Sequence, residues 1–138
     1  MSPLEVPGDR ALYHCAAVMA GNFATVLLAE AAAVLEAAGV ARERAAASLA
    51  PLALTSLRNA ATDPVAALTG PAARGDLATI EGHLRALNDH DLAESKKIYE
   101  VLNEAAMRIA QRRRAISAGE SDRRIGTKGK RLSGRLRC

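Results

Sequence analysis

Two groups of polar residues stand in surroundings that would let them do chemistry. His14, Asn22 and Thr25 fall in a run, residues 11–29, that contains no Asp, Glu, Lys or Arg. At about 100° per residue in a helix, Thr25 lies on nearly the same face as His14, and Asn22 is turned roughly 80° from it. A histidine in a cleft transfers protons near neutral pH, which makes His14 the candidate catalytic residue, and an Asn or Thr beside it would orient a carbonyl or carboxylate. The bland reading of the same residues is a core histidine bonded to a backbone carbonyl and an Asn bonded across a helix pair. The second group is Leu68-Thr69-Gly70-Pro71-Ala72-Ala73-Arg74-Gly75-Asp76. Gly70 and Gly75 permit backbone turns and close ligand approach, and Arg74 offers a planar fork to a carboxylate or phosphate. Its bland reading is an inter-helix turn with Arg74 paired to a surface carboxylate.

Other routes to chemistry are missing from the sequence. There is no glycine-rich fingerprint after a strand, no phosphate-binding loop, no elbow around a serine and no paired Cys or His at metal-ligand spacing. No metal site is expected. Cys15 and Cys138 do not form a disulfide framework, and their use fits a reducing cytoplasm.

The elements that must position these residues are helices. The chain of 138 residues is 49% hydrophobic but only 2% aromatic, its apolar content dominated by Ala, Leu and Val, which favours close-packed helices. An all-α bundle around one long buried helix is expected, as a single domain over residues 9–116 after a linker at 1–8. Asp9 caps the first helix, which runs to Gly39 as its C′ residue. That helix is apolar nearly all round, through Leu12, Val18, Phe23, Leu27, Leu28, Val34 and Leu35, as in a helix enclosed by others or by a second subunit. A second helix covers 41–61, with Leu49, Leu52, Leu54 and Leu57 as core positions and Pro51 as a kink or break. Asp63-Pro64 opens a short helix that ends before the glycine loop. Asp76 caps a helix carrying Leu77, Ile80, Leu84 and Leu87. Asp91 with Glu94 gives a capping-box start to the last helix, whose stripe is Ile98, Val101, Leu102, Ala105 and Ile109.

Charge divides the chain. Its net charge is +4, yet residues 112–138 hold ten Lys or Arg against Glu120 and Asp122, so the body before them is acidic. Residues 117–138 read as a disordered basic appendage. With no aromatic residue beyond Tyr99, base stacking is unavailable there and nucleic-acid binding is not the expected role. A membrane span is not expected either, because residues 11–29 are Ala-rich and include His14, Asn22 and Thr25.

Two stretches carry a family resemblance: Arg10-Ala11-Leu12-Tyr13-His14-Cys15-Ala16-Ala17-Val18-Met19-Ala20-Gly21-Asn22-Phe23, and Ala67-Leu68-Thr69-Gly70-Pro71-Ala72-Ala73-Arg74-Gly75-Asp76. Together they resemble the signatures of a bacterial domain of unknown function that follows a Rossmann-like, NADP-oxidoreductase-type domain. That domain is similar to the helical C-terminal domain of 6-phosphogluconate dehydrogenase-like enzymes, and the resemblance covers about residues 9–111. It implies a substrate-binding and dimerisation domain of an NAD(P)-dependent oxidoreductase, lacking the Rossmann half, binding no cofactor and inactive alone. The homodimer would form through the long first helix, with NADP or NAD held by a Rossmann-domain partner. His14, Asn22, Thr25, Thr69, Gly70 and Arg74 would face the interdomain cleft. The alternatives are a stand-alone helical interaction module and a weak nucleic-acid binder acting through the basic tail.

Overall fold

The computed structural model describes the backbone of residues 8–132 and the side chains of residues 8–118. Within those bounds the chain is all-α, with no strand among the described residues. The helices are α1 (Arg10–Ala20), α2 (Asn22–Ala37), α3 (Arg42–Thr62), α4 (Pro64–Ala67), α5 (Pro71–Arg74), α6 (Leu77–Asp89) and α7 (Ala93–Leu132). They fall into two compact units, residues 1–55 and residues 56–138, with the division inside α3. All of the linker expected at 1–8 except Gly8 lies outside the described residues.

In the first unit, Asp9 caps α1 as its sequence position implies, its carboxylate accepting the Ala11 N–H at 2.7 Å. The single long helix expected to Gly39 is interrupted at Gly21. Helical hydrogen bonds still cross the interruption, from the Gly21 N–H to the Ala17 carbonyl and from the Thr25 N–H to the Gly21 carbonyl, so the helical phase is kept. A glycine with a threonine hydroxyl four residues on, donating to the glycine carbonyl at 3.2 Å, is a recognised cause of a local bend. Gly39 then ends the helical segment at φ 95°. Its N–H and that of Val40 return to the Glu36 and Leu35 carbonyls, a Schellman closure that only a residue tolerant of left-handed backbone permits.

The expectation that this segment is buried does not hold within the unit. No residue of α1 is buried, and on α2 only Ala32 is. On α3, Ala45 is buried and Leu49 half-buried, whereas Leu52 and Leu54 are exposed, as is Leu57 in the second unit. The reason is geometric: at about 100° per residue, positions 49, 52, 54 and 57 scatter around the helix and form no single stripe. Pro51 does not break α3, which continues through it.

In the second unit, α4, α5 and α6 pack on α7. The core is small-residue packing around two larger anchors: Ala72, Ala73 and Ala110 with Ile80 and Leu87. Asp63 caps α4, its Oδ1 accepting from the Val65 and Ala66 N–H groups at 2.9 and 3.0 Å, with Pro64 next in place. Asp76 caps α6. Leu77, expected on the core face, is exposed, as are Val101 and Leu102 at the flank of the α7 stripe that α4, α5 and α6 leave uncovered.

Asp91 is not the cap of α7. It ends α6 at φ 55°, its N–H bonded to the Asn88 carbonyl and that of Leu92 to the Leu87 carbonyl. Leu92 takes the cap position, its carbonyl accepting the Lys96 N–H. Aspartate tolerates left-handed backbone better than most residues, and the shared turn claims it before a cap forms. The expectation of irregular chain after Ile116 also differs from the structure, in which α7 continues to Leu132. Ser117, Gly119, Ser121, Asp122, Gly126, Thr127 and Gly129 give this stretch low helix propensity, so neither propensity nor apolar periodicity signals it in the sequence. Residues 133–138 lie outside the described residues.

Candidate functional site

The anticipated polar trio sits on α1 and α2 in the first unit. His14, Asn22 and Thr25 are all exposed, and the Thr25 hydroxyl is spent on the Gly21 carbonyl. His14 and Thr25 share a face but are separated by eleven residues, about 16 Å of helix rise, so this helical segment alone does not converge them on one small ligand. Roughly opposite them runs an apolar stripe of Leu12, Met19, Phe23 and Leu27, spaced at helical intervals. Leu12 is 71% exposed, Met19 60% and Phe23 57%. Cys15, also exposed, lies beside the stripe. The segment Arg10–Ala37 has the length and apolar composition to cross a membrane, as mostly buried core helices and signal sequences also do, and only 6% of its apolar window is buried.

The second anticipated group is a built turn. What reads from sequence as a tight loop contains the short helix α5, entered through Gly70 at φ 91°, ψ −174° and closed by Gly75 at φ 73°, ψ 29°. Closure is again of Schellman type: the Gly75 N–H reaches the Ala72 carbonyl and the Asp76 N–H the Pro71 carbonyl. Ala72 and Ala73 are buried, Gly70 is half-buried, and Thr69 and Arg74 are exposed. Asp76 directs both carboxylate oxygens at Thr79. Oδ1 accepts its N–H at 3.1 Å and Oδ2 its hydroxyl at 2.7 Å. The Thr79 hydroxyl first, and then the Thr79 amide, lower the Asp76 carboxyl below its ordinary range, with a smaller contribution from the Arg74 charge. The surface carboxylate partner considered for Arg74 does not form. Ion pairs do form between Glu81 and Arg85 and between Glu94 and Lys97.

Sequence reasoning missed two residues that hold this turn. From α7, Arg113 Nη1 donates to the Leu68 carbonyl at 3.0 Å, and Arg114 Nη2 donates to the Ala73 carbonyl at 3.4 Å. Their partners lie 45 and 41 residues away in sequence. No local pattern signals such a contact, and both arginines read as the start of the basic tail.

Elsewhere in the unit, His83 Nδ1 and the Tyr99 hydroxyl lie 2.9 Å apart with their rings edge to face, joining α6 to α7. Burial raises the Tyr99 phenol. Hydrogen bonding to Glu94, together with its charge, raises the Lys97 ammonium. A shallow depression of about 340 Å³ opens at the α6–α7 junction, lined by Asn88, Asp91, Leu92, Ala93, Lys96, Lys97 and Glu100, and it includes none of the anticipated site residues. Among the described residues, no group of three or more His, Cys, Asp or Glu is placed to hold a metal ion.

No curated protein and no solved structure matches the chain. A family model does match, over residues 3–106, a span that takes in both polar groups and stops short of Arg113 and Arg114. The chain therefore belongs to the family described as domain of unknown function DUF2520.

Proposed function

We propose that this chain is the helical substrate-binding and dimerisation half of an NAD(P)-dependent oxidoreductase, with the fold of 6-phosphogluconate dehydrogenase C-terminal domains. In this reading a separate Rossmann domain supplies the dinucleotide site. The observation that carries the reading is the uncovered apolar stripe Leu12, Met19, Phe23 and Leu27 on α1 and α2. Burying a large apolar side chain contributes about 1.5–3 kcal/mol, so four side chains left in water are a strong drive to associate. A second copy related by a twofold axis offers the same stripe in return and closes the assembly. With Leu12, Met19, Phe23 and Leu27 turned to a partner subunit, the opposite face, with His14 and Thr25, is left free toward a cofactor-bearing domain, and Asn22 lies at its edge. The braced turn at 68–76, with Thr69, Gly70 and Arg74, serves as the substrate-holding element of the second unit.

The thiol of Cys15, beside the stripe, reports on the association. In a Cys138→Ser background, Cys15 should react with a thiol reagent several-fold more slowly in concentrated wild type than in a Phe23→Glu variant. Equal rates would overturn the interface. A fluorescence titration with NADPH should show no saturable binding to the chain alone, since the described residues hold no sheet against which a dinucleotide would lie. Tight binding would overturn the division of labour between two domains.

A further inference from the structure

Three arginines belong to or reach the turn at residues 68–76. Arg74 lies within it, and Arg113 and Arg114 reach it from α7. Arg114 Nη2 also sits 3.4 Å from where a Cβ on Gly75 would be, so it lies against the Ala73–Gly75 backbone beside Arg74. Each α7 arginine uses one N–H on a loop carbonyl, and each guanidinium carries several further N–H donors. None of the three is ion-paired among the described residues, whereas Glu81 pairs with Arg85 and Glu94 with Lys97. The acidic residue of the turn, Asp76, spends its hydrogen bonds on Thr79 and meets Arg74 through charge alone. A planar fork fits an oxyanion with two parallel hydrogen bonds.

We propose that Arg74, Arg113 and Arg114 make this turn an oxyanion-binding site for a phosphate or carboxylate group. This deepens the substrate-binding reading above and rests on it, since the anion would be the charged part of the substrate. Arg113 and Arg114 act in two ways: they hold the backbone of the turn through Leu68 and Ala73, and they present charge alongside Arg74. Both lie beyond residue 106, where the family match ends. The start of the basic segment is thus part of the site and not an appendage to it.

The test is a titration of the full chain at low ionic strength, followed through the backbone amide NMR signals of Gly70 and Gly75. Inorganic phosphate is one probe, malonate the carboxylate probe, and sodium chloride at matched ionic strength the control. Saturable shifts at both glycines with phosphate or malonate, absent with chloride, are expected, and the tighter probe identifies the group. Arg74→Gln should weaken that probe at least about tenfold, a loss expected where a bidentate charged contact is removed. Arg113→Lys and Arg114→Lys keep the charge while losing the fork, so intermediate weakening is expected with helicity unchanged. Shifts that track chloride equally, or that survive Arg74→Gln and Arg114→Lys unchanged, would overturn the site. Dimer formation is measured separately, so anion binding by a monomer would sink the dimerisation reading and leave this site standing.

Discussion

Asp76 and Thr79 decide the start of α6. The Thr79 hydroxyl and amide favour the charged carboxylate, so the folded carboxyl titrates below the unfolded one. A group depressed in this way stabilises the fold fully above the unfolded carboxylate range. That contribution is lost as pH falls through the depressed folded value. Thr79→Val removes the hydroxyl donor and keeps the amide. It should melt below wild type at neutral pH, with the gap closing as the solution is acidified through the Asp76 titration. A gap that stays constant with pH would mean that the loss is one of packing. At this scale the sequence was most legible where chemistry is local. Asp9, Asp63 and Asp76 cap helices because a short carboxylate reaches an N–H two or three residues on, and the one-dimensional order contains that information. Asp91 misled because the same residue type also serves left-handed turns, and the neighbouring helix end won.

Among the described residues, helix ends at Gly39, Gly75 and Asp91 turn through positive φ, each closed by paired returns to the preceding helix. At Gly75 the constraint is the positive φ of 73°, the Arg114 guanidinium at 3.4 Å being only in ordinary contact with a Cβ placed there. Gly75→Ala should cost about 1–2 kcal/mol, the usual penalty for forcing a residue with a Cβ into left-handed backbone. Chemical denaturation with an unchanged m-value would measure it. A neutral effect would show that the turn relaxes out of its observed conformation. Helix positions were readable from sequence, but their surroundings were not. Leu52, Leu54 and Leu57 are apolar without sharing a face, and the continuation of α7 to Leu132 is signalled by neither propensity nor periodicity. Arg113 and Arg114 depend on contacts more than 40 residues apart in sequence, which neither propensity nor spacing encodes.

At the scale of the molecule, each unit has a thin core. The first buries Ala32 and Ala45, the second mainly alanines around Ile80 and Leu87, and no large side chain is fully buried among the described residues. Alanines bury little apolar area, and much of the large apolar surface stays exposed: Leu12, Tyr13, Met19, Phe23, Val26 and Leu27 on α1 and α2, with Leu52 and Leu54 on α3, and Leu57, Leu77, Val101, Leu102 and Ile116 in the second unit. The set on α1 and α2 forms a continuous helical surface, the arrangement expected of an interface that is completed by association. Multi-angle light scattering of the full chain, alone and with neutral lipid vesicles, measures this directly. The account predicts a dimer mass that persists on dilution into the low micromolar range, a Phe23→Glu variant that shifts toward monomer, and no co-elution with vesicles. A monodisperse monomer at high concentration, or quantitative transfer of the chain to the vesicles, would contradict it.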